Sequence, residues 1–202
     1  MPVDPETVKG FLDPVEGQAL FDHARSVAHR APGLEVGSYC GKSTLWLGEA
    51  YRDSGNVLYA VDHHRGSEEH QPGEEYHDES LFDPQSGLMD SFREFRRTLR
   101  SANLEQTVVP IVSPTSVAST NWQTPLSMVF IDGGHSLEAA LTDYRCWSPK
   151  IHPGGVLAIH DLFPDPSEGG QAPYDIWKLA LASGLYEDLG TVKTLGLLKR
   201  IS

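Results

Sequence analysis

Short apolar runs recur along this chain, each ending on a glycine or a polar residue. Leu34-Glu35-Val36 stops at Gly37, residues 57–61 at Asp62, Val108–Val112 at Ser113, Leu126–Ile131 at Asp132, and residues 156–159 at His160. Runs of this length predict buried strands. Between them the apolar period lengthens to that of a helix. Residues 8–30 predict one or two helices broken near Asp13-Pro14, with Val15, Ala19, Leu20, His23, Ala24 and Val27 as the apolar stripe. Residues 43–52, 92–103 and 136–147 predict three more, the last with Leu137, Ala140, Leu141 and Tyr144 on one face, and residues 149–155 predict a turn. Strands alternating with helices predict an α/β protein whose sheet is mostly parallel and covered on both faces. Tyr186–Val192 and Leu195–Arg200 are too close together for a crossover and predict an antiparallel hairpin.

A chain of 202 residues suits one domain, residues 1–202, with an N-terminal helical segment over 1–32. The net charge of −12 argues against a nucleic-acid partner, whose phosphates need Lys and Arg. Arg93, Arg96, Arg97 and Arg100 fall at helical spacing and read as a solvated face. No apolar run reaches membrane-spanning length, so no membrane partner is expected, and the polar opening residues 1–7 do not resemble a targeting peptide. Two cysteines, Cys40 and Cys146, are too few for a disulfide framework and fit a reducing, cytoplasmic setting.

The chemistry gathers at the turn Gly37-Ser38-Tyr39-Cys40-Gly41, between a predicted strand and a predicted helix. Glycines there let backbone amides approach a ligand closely. Gly41-Lys42-Ser43 copies the end of a phosphate-binding loop, but Gly37 stands one residue too near for that cradle. Two acids favour an adenosine cofactor instead. Glu35 precedes the turn, and Asp62 ends the next strand, where a carboxylate can take both ribose hydroxyls.

Further along, Phe130-Ile131-Asp132-Gly133-Gly134-His135-Ser136, Asp143-Tyr144 and Pro153-Gly154-Gly155-Val156-Leu157-Ala158-Ile159-His160-Asp161 follow in order. Together with the glycine turn and the terminal hairpin, these motifs resemble class I S-adenosylmethionine-dependent methyltransferases. More narrowly, they resemble the subfamily of macrocin-type sugar O-methyltransferases and cephalosporin-hydroxylase-like proteins. The resemblance implies a Rossmann-like, doubly wound, seven-stranded sheet and methyl transfer to a small-molecule acceptor, with oxygen as the acceptor atom. It implies cofactor contacts at Glu35, Gly37, Ser38, Gly41, Ser43 and His63, a ribose contact at Asp62, and adenine-side contacts near Ser113 and Ser116. Asp132 is implied at the methyl-transfer end.

Several members of the subfamily hold a divalent metal with three acids, whose positions here are Asp132, His160 and Asp161. A histidine in that trio shifts the expected ion from Mg²⁺ towards Mn²⁺, Fe²⁺, Co²⁺ or Zn²⁺, or removes the metal altogether. Asp132, His135 and His160 are the candidate catalytic residues, with His135 a general base by residue type and Asp143 an orienting group. Residues 63–90, rich in His63, His64, Glu68, Glu69, His70, Glu74, Glu75, His77 and Asp78, form an insertion expected to lid the site. Two other readings stay open here: a nucleotide phosphohydrolase dependent on Lys42, and a non-catalytic cofactor- or metal-binding module. Self-association into a homo-oligomer also stays open.

Overall fold

The computed structural model describes every residue except 68, 69, 72, 75 and 76. Helix α1 (Pro14–Val27) precedes β1 (Gly33–Val36), and α2 (Lys42–Tyr51) leads to β2 (Leu58–Asp62). A small ribbon of β3 (Phe82–Asp83) and β4 (Leu88–Met89) comes before α3 (Phe92–Ser101) and β5 (Val108–Val112). Then follow the short α4 (Thr115–Ala118), β6 (Leu126–Ile131), α5 (Leu137–Trp147), β7 (Ile151–Ile159) and α6 (Ala172–Ala182). The last elements are β8 (Tyr186–Val192) and β9 (Leu195–Arg200).

Seven strands form one sheet in the order β5-β2-β1-β6-β7-β9-β8. β5, β2, β1, β6 and β7 run parallel, while β9 pairs antiparallel with both β7 and β8. The chain winds outward from β1 to β5, then restarts on the other side at β6. The boundary between β1 and β6 is therefore the point where strand order reverses, and ligands of open α/β sheets lie beyond the carboxyl ends there.

Side chains of β6 alternate between the two layers. Met128 and Phe130 pack with Leu20 and Ala24 of α1, Leu45 of α2 and Phe95 of α3, whereas Val129 and Ile131 pack with Ala140 and Trp147 of α5 and Ile176 of α6. Each such fully buried side chain contributes roughly 1.5–3 kcal/mol. A continuous apolar run is thus required of a strand covered on both faces.

Several expectations are corrected. The break expected near Asp13-Pro14 is present, but residues 8–12 ahead of it are not helical; Asp13 caps the helix that follows, where the Val15 amide donates to Asp13 Oδ1 at 2.8 Å, and the Asp13 amide donates to Glu16 Oε2 at 3.2 Å. Val15 and Leu137, placed on apolar stripes, are exposed instead. The turn expected over 149–155 is strand, since β7 runs through Pro153-Gly154-Gly155 and a register shift opposite residues 126–128 absorbs the irregularity. Helices α4 and α6 and the ribbon β3–β4 are additions to the elements expected from the sequence. Of the insertion over 63–90, Glu68, Glu69 and Glu75 lie outside the described residues.

Candidate active site at the strand ends

Gly37, directly after β1, has φ +83°, and a Cβ there would lie 2.0 Å from the Asp132 carbonyl oxygen. Glycine is therefore demanded by both backbone angle and space. The turn that follows is fastened by Asp62 at the end of β2. Its Oδ2 accepts from the amides of Ser38 (3.0 Å) and Tyr39 (2.8 Å), and its Oδ1 from that of His64 (2.7 Å). Tyr39 is held at φ 45°, left-handed for a non-glycine residue.

A cavity of about 780 Å³ opens over these ends, within the range of small-molecule sites. Gly37, Ser38 and Ser43 line it from the turn, Asp62 and His63 from the end of β2, and Ser113 and Ser116 from beyond β5. Asp132, His135, His160 and Asp161 line the opposite side, after β6 and β7. Glu35 and Gly41, expected as cofactor contacts, do not line it. Gly41 instead starts α2 at φ +94°. Glu35 is buried beneath the turn, accepting from Ser43 Oγ at 2.5 Å and Thr44 Oγ1 at 2.6 Å. Burial pushes its carboxyl up to about 8; the two hydroxyls oppose this and the charges of Asp132 and Asp62 add to it.

The far wall carries an ionic cluster. His160, 4% exposed, has Nδ1 3.0 Å from Asp132 Oδ1 and Nε2 3.1 Å from Glu16 Oε2. Asp161 Oδ2 lies 3.4 Å from the same Nδ1 and 3.1 Å from His135 Nε2. Burial disfavours a charged imidazole, but the Asp132 charge and the hydrogen bonds of Asp132, Asp161 and Glu16 outweigh it and hold His160 well above its ordinary value. Burial likewise resists ionising Asp161, and the hydrogen bonds of His135 and His160 overcome it, keeping that carboxyl far below the usual range.

His160, expected as a metal ligand and a catalytic residue, has both ring nitrogens set against carboxylates in this arrangement. Among the described residues, Asp132, His135 and Asp161 converge, with one ligand atom from each all lying within 4.8 Å of one another. One nitrogen and two carboxylate donors suit Mn²⁺, Fe²⁺, Co²⁺ or Zn²⁺ better than Mg²⁺.

Other contributors were missed. Glu16 gave only a helix-capping signal, yet its buried carboxylate also takes the amide and hydroxyl of Thr194, both at 2.8 Å. Asp143 does line the cavity, but its Oδ2 faces Gly133, and its hydrogen-bond partner is Thr115, not His135. Burial raises its carboxyl to about 6, against the Thr115 hydrogen bond. Lys9, Phe11 and Leu12, ahead of α1, close one side of the cavity, a position no sequence pattern foretold.

A Rossmann-like sheet with a glycine turn after β1, an acid ending β2 and an ionic cluster after β6 and β7 defines a cofactor-binding α/β protein of the methyltransferase type. The model of the methyltransferase domain family matches residues 34–162, and the chain belongs to that family. Among similar solved structures is cofactor-bound Rv0187 from MTB, with TM-score 0.67 and 16% identity over 95% of this chain and 83% of that one. The O-methyltransferase TomG from Streptomyces achromogenes, in complex with SAM, gives TM-score 0.64 and 16% identity over 95% and 82%. An O-methyltransferase from Bacillus cereus in complex with SAH gives 0.62 and 17% over 94% and 83%. At these identities the likeness is one of fold.

Proposed function

We propose that this protein transfers the methyl group of S-adenosylmethionine to a hydroxyl oxygen of a small molecule. The observation that carries the reading is the layout of one cavity. The glycine turn and Asp62 stand on one side, Asp132, His135 and Asp161 on the other, and the cavity lies at the switch point between β1 and β6. The SAM and SAH complexes among the similar folds support the choice of cofactor.

Asp62, which fastens the turn, faces the ribose, and Gly37, Ser38 and Ser43 line the cofactor side of the cavity, with His63 beside Asp62 and Ser113 and Ser116 beside the adenine. Acceptor oxygen and sulfonium methyl are then held in line, so that the C–O bond forms as the C–S bond breaks and the thioether leaves. His135 takes the hydroxyl proton. Asp161, accepting from His135 Nε2, fixes the tautomer whose lone pair is on Nδ1. Asp132 faces the acceptor, and the protonated His160 behind it holds its carboxylate in place. A divalent ion, where one is bound, would be held by Asp132, His135 and Asp161 and would supply a Lewis acid that lowers the acceptor hydroxyl's pKa.

The phosphohydrolase reading is not favoured. Lys42, which it needs at the phosphates, is paired with Glu6 at 2.8 Å and is mostly buried. Calorimetric titration of the metal-stripped chain with SAH and, separately, with ATP tests the choice. Micromolar SAH binding without ATP heat is expected, and ATP binding alone would overturn the methyl-transfer reading. Repeating the SAH titration with Mn²⁺ tests the ion.

A further inference from the structure

Asp143 is a buried carboxyl on the cavity wall to which the proposed reaction gives no task. It is 5% exposed and lines the cavity from α5. Besides burial, the groups that act on it are the Thr115 hydroxyl and the charge of Asp62, and no cation is among them. A carboxyl buried without a counter-charge is costly unless hydrogen-bond donors satisfy it.

Thr115 supplies one donor. Trp147 Nε1, which can only donate, lies 2.5 Å from Thr115 Oγ1. The hydroxyl therefore accepts from the indole and has its own proton left for Asp143. Two carboxyl oxygens have lone pairs for more than this one bond. Glycine at 133 keeps the approach to them clear, since a Cβ there would meet Asp143 Oδ2 at 2.5 Å.

The position of the carboxyl identifies the group it can take. Thr115 stands between Ser113 and Ser116, the residues beside the adenine in the proposed reading, and all three line the cavity. Helix α4, which carries Thr115, packs against α5. The charge of Asp62, beside the ribose in the same reading, is felt at Asp143. Asp143 thus belongs to the base end of the cofactor site. An ionised carboxyl can only accept, and on adenine the exocyclic amino group is the donor, whereas N3 and N7 are acceptors.

We infer that Asp143 accepts a hydrogen bond from the exocyclic amino group of the cofactor's adenine, and that it makes the site selective for a 6-amino over a 6-oxo purine. The inference rests on the methyl-transfer reading and names what that site selects in its cofactor. A 6-oxo base puts a carbonyl oxygen where the amino group was, so that two acceptors face each other in a buried place. Thr115 is the positioning residue: Trp147 aims its hydroxyl, and the hydroxyl aims the carboxyl.

The test is calorimetry on the full chain with SAH and with its 6-oxo analogue, S-inosylhomocysteine, above pH 7, where a carboxyl raised to about 6 is ionised. The wild-type chain is expected to bind SAH more tightly by about tenfold or more, the scale of a hydrogen bond to a charged group. Asp143→Asn, whose amide can donate to a 6-oxo oxygen as well as accept from a 6-amino group, should narrow that ratio to about threefold or less. Asp143→Ala, which does neither, should narrow it by weakening SAH. Melting temperature reports whether each variant is folded, and either folded variant decides. Equal binding of the two ligands by the wild-type chain, or a wild-type ratio in a folded variant, overturns the inference while leaving methyl transfer standing, because a merely structural Asp143 would weaken both ligands together. Failure of SAH to bind the wild-type chain overturns the methyl-transfer reading, and the selectivity falls with it.

Discussion

Glu16 Oε2 and His160 Nε2 lie 3.1 Å apart across 144 residues of sequence, and both side chains are buried. The first turn of α1 is thereby joined to the loop after β7, and the imidazolium is held between Glu16 on one side and Asp132 on the other. Burial resists ionising Glu16, but the hydrogen bonds of His160 and Thr194 bring its carboxyl below the ordinary value. Removing Glu16 leaves His160 Nε2 and the Thr194 amide without their buried acceptor, while Asp132 and Asp161 still face His160 Nδ1.

Glu16→Ala should therefore destabilise the fold by roughly 1–3 kcal/mol, read by urea denaturation at neutral pH. Glu16→Gln, which keeps the shape and the bond to Thr194, should cost less. A change below about 1 kcal/mol in Glu16→Ala, as at an exposed pair, would show that the pair carries no stabilising charge.

The same cluster sets the acid limit of stability. Glu16 and Asp161 are held below their ordinary values, so their contribution is present above the unfolded carboxylate range and lost as pH falls through the folded values. His160 is raised, so its contribution is present below the unfolded imidazole value and lost only as pH climbs through the folded one, far into the alkaline range. Melting temperature followed from pH 7 downward should fall at the acid end, and Glu16→Gln should shallow that fall.

Glu35 gives the opposite sign near neutrality. With its folded value raised to about 8, its contribution is present below the unfolded value of 4.5 and is lost as pH rises through 8. The loss is at most about 1.4 kcal/mol per pH unit. Glu35→Gln, which cannot ionise, should flatten the fall in melting temperature between pH 5 and pH 8.5. Identical slopes for wild type and variant would remove Glu35 as the cause.

Asp62 and Lys42 separate the two cofactor readings. Asp62→Ala removes the acceptor of three backbone amides as well as the proposed ribose contact, and should weaken SAH by more than about tenfold, the scale of one charge-assisted hydrogen bond. Lys42→Ala breaks a pair with the mostly exposed Glu6 and should change SAH affinity by no more than about threefold. The reverse pattern would relocate the cofactor.

Gly37→Ala should be among the most damaging single changes in the chain. The added methyl meets the Asp132 carbonyl at 2.0 Å and the backbone is left-handed, so about 1–3 kcal/mol of strain is the least expected. Retained SAH binding at wild-type melting temperature would mean that the turn and the Asp132 loop can separate.

The periodicity of apolar residues determined the sheet, its parallel character, the terminal hairpin and most helices, because each such element buries a face that its own sequence must supply. The glycine turn, Asp62 and Asp132 were legible for the same reason: they end local patterns. What the sequence left undecided depends on pairs of residues far apart in the chain. Sequence reasoning put His160 among the metal ligands and overlooked Glu16. It takes the folding of α1 against the loop after β7 to bring the two together and set carboxylates against both imidazole nitrogens, while His135 converges with Asp132 and Asp161. Glu35 had the sequence of a cofactor contact, but its two hydroxyl partners from the first turn of α2 draw it beneath the turn. Local pattern is enforced by burial along one element, whereas hydrogen-bond partners and charge neighbours are chosen only when the elements meet.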